Sequence, residues 1–220
     1  MNSEPSKPEK IHSCCAAHAQ GTIPEGAECS DETLARGSKI VHDYALIDEL
    51  LDARRAVFGS DDAVFSAYRG HVYRMFNFAR QWTPASAERD DKIAICAAFH
   101  DIAAWPNDNL DYLRPSADQA DAYLEQGGRS DWKPEMRLMI ESHHKITAYT
   151  QESREWVEPI RRADWCDISF ALFRFGLPSA YIREVRAAFP IAAFYPNHVL
   201  KVSLKWMLRH PLNPLPILRW

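Results

Sequence analysis

The sequence has no run long and apolar enough to cross a membrane as a helix. The longest stretch free of Asp, Glu, Lys and Arg in its second half, 187–200, falls short of the ~20 residues a span needs and is broken by Pro190 and Pro196. No basic start followed by an apolar core occurs at Met1-Asn2-Ser3-Glu4-Pro5-Ser6-Lys7-Pro8, so a secretory leader is not expected and a cytoplasmic location is. Positive charge is not in excess: 26 Lys and Arg against 30 Asp and Glu leave a formal net charge of −4, which argues against a nucleic-acid polymer as partner and favours a small molecule. A cysteine framework is lacking too. The 5 cysteines are odd in number and unpatterned, and a chain of 220 residues does not need staples, so free thiols are expected. Cys14, Cys15, His18 and Cys29 lie among Gly, Pro, Ser and Glu with no periodic scaffold to hold them around an ion. Alternating apolar and polar residues of the strand type are missing, as is any internal repeat.

What remains is helical. The length suits one hydrophobic core. Residues 1–37, rich in Ser, Glu, Pro and Gly, read as a flexible tail; 38–178 read as a single all-α domain, and 179–220 as extra helices packing on it. The periodicity predicts a first helix over 38–58 capped by Ser38, and a second over 62–82. Thr83-Pro84 is expected to open a third that reaches Ala104. Further helices are expected through Pro115 to Gly127, from Pro134 through His143-His144-Lys145, and over 154–175 with Arg161 and Arg162 on its wet side. The last two are expected at 179–189 and 197–209, the latter packing Val199, Val202, Leu204 and Trp206 on the core. The 181–220 stretch carries six Lys and Arg against Glu184 alone, which suits either a solvated basic face or a membrane-surface helix.

Three of these helices carry chemistry-bearing residues on their apolar stripes: His71 on the second, His100 on the third and Asp164 on the 154–175 helix. An ionised carboxylate on an apolar face costs several kcal/mol unless it is paired, hydrogen-bonded or bound to metal. Taken singly, each residue has a bland alternative, since an inward histidine is more often a hydrogen-bonded core residue than a ligand and Asp164 can pair with an arginine. Taken together, imidazoles and carboxylates suit a Zn, Fe, Mn, Co or Ni ion. No compact pattern such as His-Glu-x-x-His decides between the two.

The order His71, then Phe99-His100-Asp101-Ile102, then His143-His144, then Ala163-Asp164 resembles the HD superfamily, over about residues 65–175. Asp111-Tyr112-Leu113-Arg114-Pro115-Ser116 and His143-His144-Lys145-Ile146 are similar to a bacterial subgroup described as HD-domain or phosphohydrolase-like proteins. The resemblance implies a helical bundle in which His71, His100, Asp101 and Asp164 hold a divalent metal ion, and a hydrolase acting on a phosphorylated small molecule. It implies Asp101, His143 and His144 as catalytic residues. Lys145, Trp105 and Asp111 are the candidates for binding substrate. Two positions depart from the pattern. Ser116 stands where dinuclear members have a histidine, so one metal is expected. Ala104 stands where mononuclear nucleotidases carry a catalytic Glu, so a proton donor must come from elsewhere. Hydration of a small nitrogen compound, as in HD cyanamide hydratases, and ligand binding without turnover are the alternatives.

Overall fold

The computed structural model describes residues 39–105, 110–191, 204–206 and 208–209, and among them there is no strand. The expected N-terminal tail, the Ser38 cap, Val199 and Val202, and the Cys14, Cys15, His18 and Cys29 group lie outside the described residues. No helix among the described residues is long and apolar enough to cross a membrane. The described helices are α1 (Ala45–Asp52), α2 (Asp62–Ala79), α3 (Arg89–Phe99), α4 (Leu113–Gln126), α5 (Lys133–Ser142), α6 (Arg154–Ile168) and α7 (Ser179–Ala188), with short 3₁₀ turns at Arg55–Phe58, Ile102–Ala104 and Ser130–Trp132.

The centre of the fold is α2. Asp61 caps it by accepting from the Ala63 N–H at 2.9 Å, and from Tyr68 to Ala79 nearly every side chain is buried because α3, α6 and α7 cover it on several sides. A helix covered all round cannot show a clean amphipathic stripe. Its polar inward residues therefore need partners, and Asn77 shows how they are met: its amide accepts from the Val41 N–H at 2.9 Å and donates to the Val41 carbonyl at 3.0 Å. That clip holds 39–44 extended against α2, which is why the first helix starts only at Ala45 rather than at Ser38.

Other boundaries shift for equally local reasons. The Thr83 hydroxyl donates back to the Ala79 carbonyl at 3.0 Å, so Thr83 finishes α2 instead of opening α3, which begins at Arg89. The Ala103 N–H donates to the Ser116 hydroxyl at 3.2 Å, and α3 gives way after Phe99 to the 3₁₀ turn rather than running unbroken to Ala104. The expected 154–175 helix stops at Ile168, after which Phe170 and Ala171 take left-handed φ values of 55° and 65° and Leu172 is 77% exposed. Of the final helix, 204–206 and 208–209 are described; Trp206 packs against Leu110, Tyr112 and Leu113, while Leu204, expected to pack, is exposed.

Arg161, expected on the wet side of its helix, is buried. Its Nε and Nη2 each donate at 2.7 Å to the two oxygens of Glu158, which also accepts from the Tyr149 N–H at 2.8 Å. Arg161 Nη1 and Trp165 Nε1 both donate to the Lys145 carbonyl, at 3.2 and 3.1 Å, so this pair straps the segment after α5 onto α6. Burial alone raises the Glu158 pKa, but Arg161, the Tyr149 N–H and Arg162 outweigh it and hold the group at about 2, against an ordinary 4.5. A folded-state pKa below the unfolded one adds stability that is present above pH 4.5 and lost as pH falls towards 2. A Glu158→Ala variant is expected to lose about 3 kcal/mol at pH 7, by removing one partner of a buried pair. Urea unfolding at pH 7 and at low pH checks both points, since the gap between wild type and variant should narrow in acid.

Candidate metal centre

Four elements deliver the site. His71 comes from the middle of α2, His100 caps the C-terminus of α3, and Asp101 follows it into the 3₁₀ turn. His143 caps the C-terminus of α5, His144 comes next, and Asp164 comes from the third turn of α6. All are buried, with His71, His100, His143 and Asp164 at 0% exposure. The structure brings together every residue expected as a metal ligand or catalytic group.

The protons on the imidazoles can be assigned from their outward partners. His100 Nδ1 lies 2.8 Å from the Ala97 carbonyl and His143 Nδ1 lies 2.6 Å from the Ile140 carbonyl; a carbonyl only accepts, so both Nδ1 atoms carry the proton. His71 Nδ1 lies 2.7 Å from Asp167 Oδ2, a carboxylate already gripped by Arg74, so it donates as well. In neutral form each of these rings then turns a bare Nε2 lone pair inward. His71 Nε2 and His100 Nε2 face each other at 3.1 Å, and His143 Nε2 faces Asp101 Oδ1 at 3.3 Å. Such contacts need a positive charge between them, which a proton or a metal ion can supply.

The carboxylates point to the same conclusion. Asp101 Oδ1, both oxygens of Asp164, His143 Nε2 and His144 Nδ1 are buried and find no hydrogen-bond partner among the described residues. Buried polar atoms are satisfied in the great majority of cases, and a cluster of exceptions in one place calls for an ion or ordered water. Two sets of side chains have ligand atoms close enough to share an ion: His71, His100 and Asp101, and Asp101, His143 and His144. Asp101 belongs to both, with Oδ2 at 3.3 Å from His100 Nε2 and Oδ1 at 3.3 Å from His143 Nε2. Asp164 stands outside both tight sets but touches one member of each: its Oδ1 is 3.6 Å from His71 Nε2 and its Oδ2 is 3.1 Å from His144 Nδ1. The donors are borderline nitrogens and hard oxygens, all buried, so they fit a divalent transition ion.

Electrostatics agree. Burial alone raises the Asp101 pKa, yet His100 and His143 outweigh it and hold the carboxyl well below the usual range; Asp164 is lowered in the same way, chiefly by His144. For His100, burial lowers basicity, but Asp101 and Asp164 outweigh it and raise the pKa. The cavity attracts positive charge, and a proton competes with a metal ion for the same Nε2 lone pair. His143 goes the other way: burial first, and then His144, lower its pKa, which favours the neutral, ligating form.

The expected substrate-binding residues fare differently. Lys145 is half-buried, with its carbonyl strapped to Arg161 and Trp165, and Asp111 is exposed. Trp105 packs against Phe58 and Tyr68, each at 5.6 Å, and Tyr68 in turn stacks on His100 at 6.0 Å, so the indole belongs to the wall behind that ligand. Residues 106–109, between Trp105 and Asp111, lie outside the described residues. Two further residues join the site, Tyr112 from the loop after the His-Asp doublet and Asp167, which periodicity did not single out. Tyr112 places its hydroxyl 2.8 Å from His144 Nε2, and Asp167 holds His71. Compared with known family models, with curated proteins and with solved structures, the chain finds no match in any of the three.

Proposed function

We propose that this chain is a metal-dependent hydrolase of the HD type acting on a small phosphate ester, such as a nucleotide or another phosphorylated metabolite. The observation that carries the proposal is the convergence of imidazole lone pairs on buried carboxylate oxygens that have no donor. The order of those residues in the sequence supplies the word phosphate. His71, His100 and Asp101, with Asp164 beside them, would hold one ion, and Asp101, His143 and His144 offer a place for a second. A bound divalent ion supplies Lewis acidity, bringing the pKa of a coordinated water towards neutrality and polarising a phosphoryl oxygen.

The protein's own groups do the rest. Asp101, presenting one oxygen to each set, fixes the relative position of two imidazole pairs. Asp164, buried and ionised, supplies the second negative charge that keeps a cation in place. Ala104 cannot donate a proton, and it packs against the apolar Leu110, Tyr112 and Leu113 cluster. The hydrogen-bonded Tyr112 and His144 pair is the nearest replacement, with His144 orienting the hydroxyl. Ala104 is also the observation that favours the second reading, a module that binds its ligand without turnover. Hydration of a small nitrogen compound is the further alternative.

Protein purified without chelator is expected to contain substoichiometric to stoichiometric Mn, Fe, Co, Ni or Zn. It is also expected to hydrolyse at least one member of a panel of phosphorylated metabolites when that ion is replenished. Ligand-induced stabilisation with no product formed would favour the binding module, and turnover of cyanamide alone would favour the hydratase. Failure to take up any of these ions would remove the proposal altogether.

A further inference from the structure

His71 is held from outside the cavity by a chain of buried charges. Asp167 sits one turn after Asp164 on α6, and Arg74 one turn after His71 on α2, so the facing helices present a second polar layer directly behind the ligands. Asp167 Oδ2 accepts from His71 Nδ1 at 2.7 Å. Arg74 grips the same carboxylate with two bonds, Nε to Oδ1 at 2.7 Å and Nη2 to Oδ2 at 2.9 Å. Arg74 Nη1 then donates to the carbonyls of Phe189 at 3.1 Å and Pro190 at 3.3 Å, where the chain leaves α7. Gly70 makes the room: a Cβ there would stand 3.1 Å from Arg74 Nη1 and 3.6 Å from the Pro190 carbonyl.

We propose that Asp167 is a positioning residue, which, clamped by Arg74, fixes His71 in the tautomer whose Nε2 lone pair faces the cavity. The argument is geometric. His71 has a choice of proton position, and the neighbour at its inner nitrogen is another imidazole nitrogen, His100 Nε2, at 3.1 Å. A proton on His71 Nε2 would be stabilised by His100 and Asp164, so without an acceptor at Nδ1 the ring has reason to adopt the wrong form. An ionised carboxylate at Nδ1 is the strongest acceptor available. The paired Arg74 guanidinium supplies the counter-charge for that carboxylate. A carboxylate behind a ligating histidine also raises its donor strength, and loss of such a partner costs 10- to 100-fold in metal affinity. The bidentate guanidinium grip restrains both oxygens, so the ring plane is held along with the proton.

This inference rests on the metal reading above, and two measurements keep them apart. Long-range ¹H–¹⁵N spectra of the labelled full chain at mildly alkaline pH, with His71 identified by its loss in a His71→Gln variant, report the tautomer without any ion. Absorbance on titration with Co(II) reports affinity and ligand geometry. Wild type should show His71 protonated at Nδ1. Asp167→Asn should move a substantial share of the proton to Nε2, weaken Co(II) binding 10- to 100-fold and change the visible band. Asp167→Asn leaves Arg74 buried without its counter-charge, so the double variant Arg74→Gln/Asp167→Asn, which removes both charges and keeps amide hydrogen bonding, is measured beside it. A folded variant with the wild-type tautomer and wild-type Co(II) affinity overturns the proposal, and a drop in melting temperature with the tautomer unmoved would leave Asp167 a purely structural residue. If wild type takes up no Co(II), the metal reading fails, while the nitrogen spectra still decide whether Asp167 sets the tautomer.

Discussion

An Asp164→Asn variant is expected to lose most of the stabilisation that ions give the wild-type protein, beyond a loss of stability in the presence of chelator. The loss in chelator alone decides nothing, because changing a fully buried side chain normally destabilises by about 0.5–3 kcal/mol or more. Asp164 is 0% exposed, and neither oxygen finds a hydrogen-bond partner among the described residues. Its charge is offset only by imidazoles, with His71 at 3.6 Å and His144 at 3.1 Å. Those imidazoles outweigh burial and hold its pKa below the usual range, so the folded state gains from the ionised form, and replacing it removes one partner of a buried, charge-compensated group. An ion changes the balance. At ~1,000 times its dissociation constant, an ion that binds only the folded state adds about 4 kcal/mol, which for a chain of this length raises the melting temperature by roughly 10 °C. Thermal unfolding of wild type and variant, each with chelator and with Mn, Co or Zn, gives the four values needed. A variant that is weakened in chelator yet shifts as much as wild type with ion would mean that Asp164 is an ordinary core residue.

The sequence made the helical class and the inward-facing ligands legible because both depend on periodicity, which survives in any helix with at least one wet face. His71, His100 and Asp164 each fell on an apolar stripe, and each is buried. Boundaries were less legible, since they are decided by single hydrogen bonds between residues remote in sequence or by side-chain bonds that read as caps of the wrong helix. Asn77 reaching Val41 and Thr83 turning back to Ala79 are the two clearest cases. Arg161 was misplaced for a related reason. A helix wheel assigns an arginine to water unless a partner is known, and its partner Glu158 is itself buried only because Arg161 is there.

The layer behind the site was hidden in another way. His71 and Arg74 on α2 have the same spacing as Asp164 and Asp167 on α6, three residues, so the correspondence was present in the sequence. What could not be read was that these two helices face each other. Without that fact Arg74 and Asp167 are two polar residues on separate helices; with it they form a bidentate pair at 2.7 and 2.9 Å that supports a ligand. Ser116 shows the reverse. Where dinuclear members of the resembled family have a histidine, its hydroxyl accepts from the Ala103 N–H and helps set the turn that carries Asp101, while the second candidate set draws its imidazoles from the consecutive His143 and His144.

That arrangement gives Asp101→Ala a larger expected effect than any other single substitution in the cavity. One carboxylate serves both sets of side chains, so its loss should empty both, whereas His144→Ala should spare the set containing His71 and His100. Metal analysis after equilibration with excess ion is expected to show wild type and His144→Ala each holding about one ion per chain, and Asp101→Ala close to none. Turnover of any phosphate ester the wild type hydrolyses should fall in Asp101→Ala on the order of 10³-fold or more, since ion and water positioning are lost together. The acid limb has a sign that can be worked out. The His100 pKa is raised by Asp101 and Asp164, so its proton persists to higher pH than that of an ordinary imidazole and must leave before Nε2 can bind an ion. Ion affinity should therefore keep rising with pH beyond the ordinary imidazole range of ~6.5. Removing Asp101 removes the main cause of that shift, so whatever ion binding survives in Asp101→Ala should level off at lower pH. Equal metal content and an unchanged pH profile in wild type and Asp101→Ala would show that this carboxylate bridges nothing.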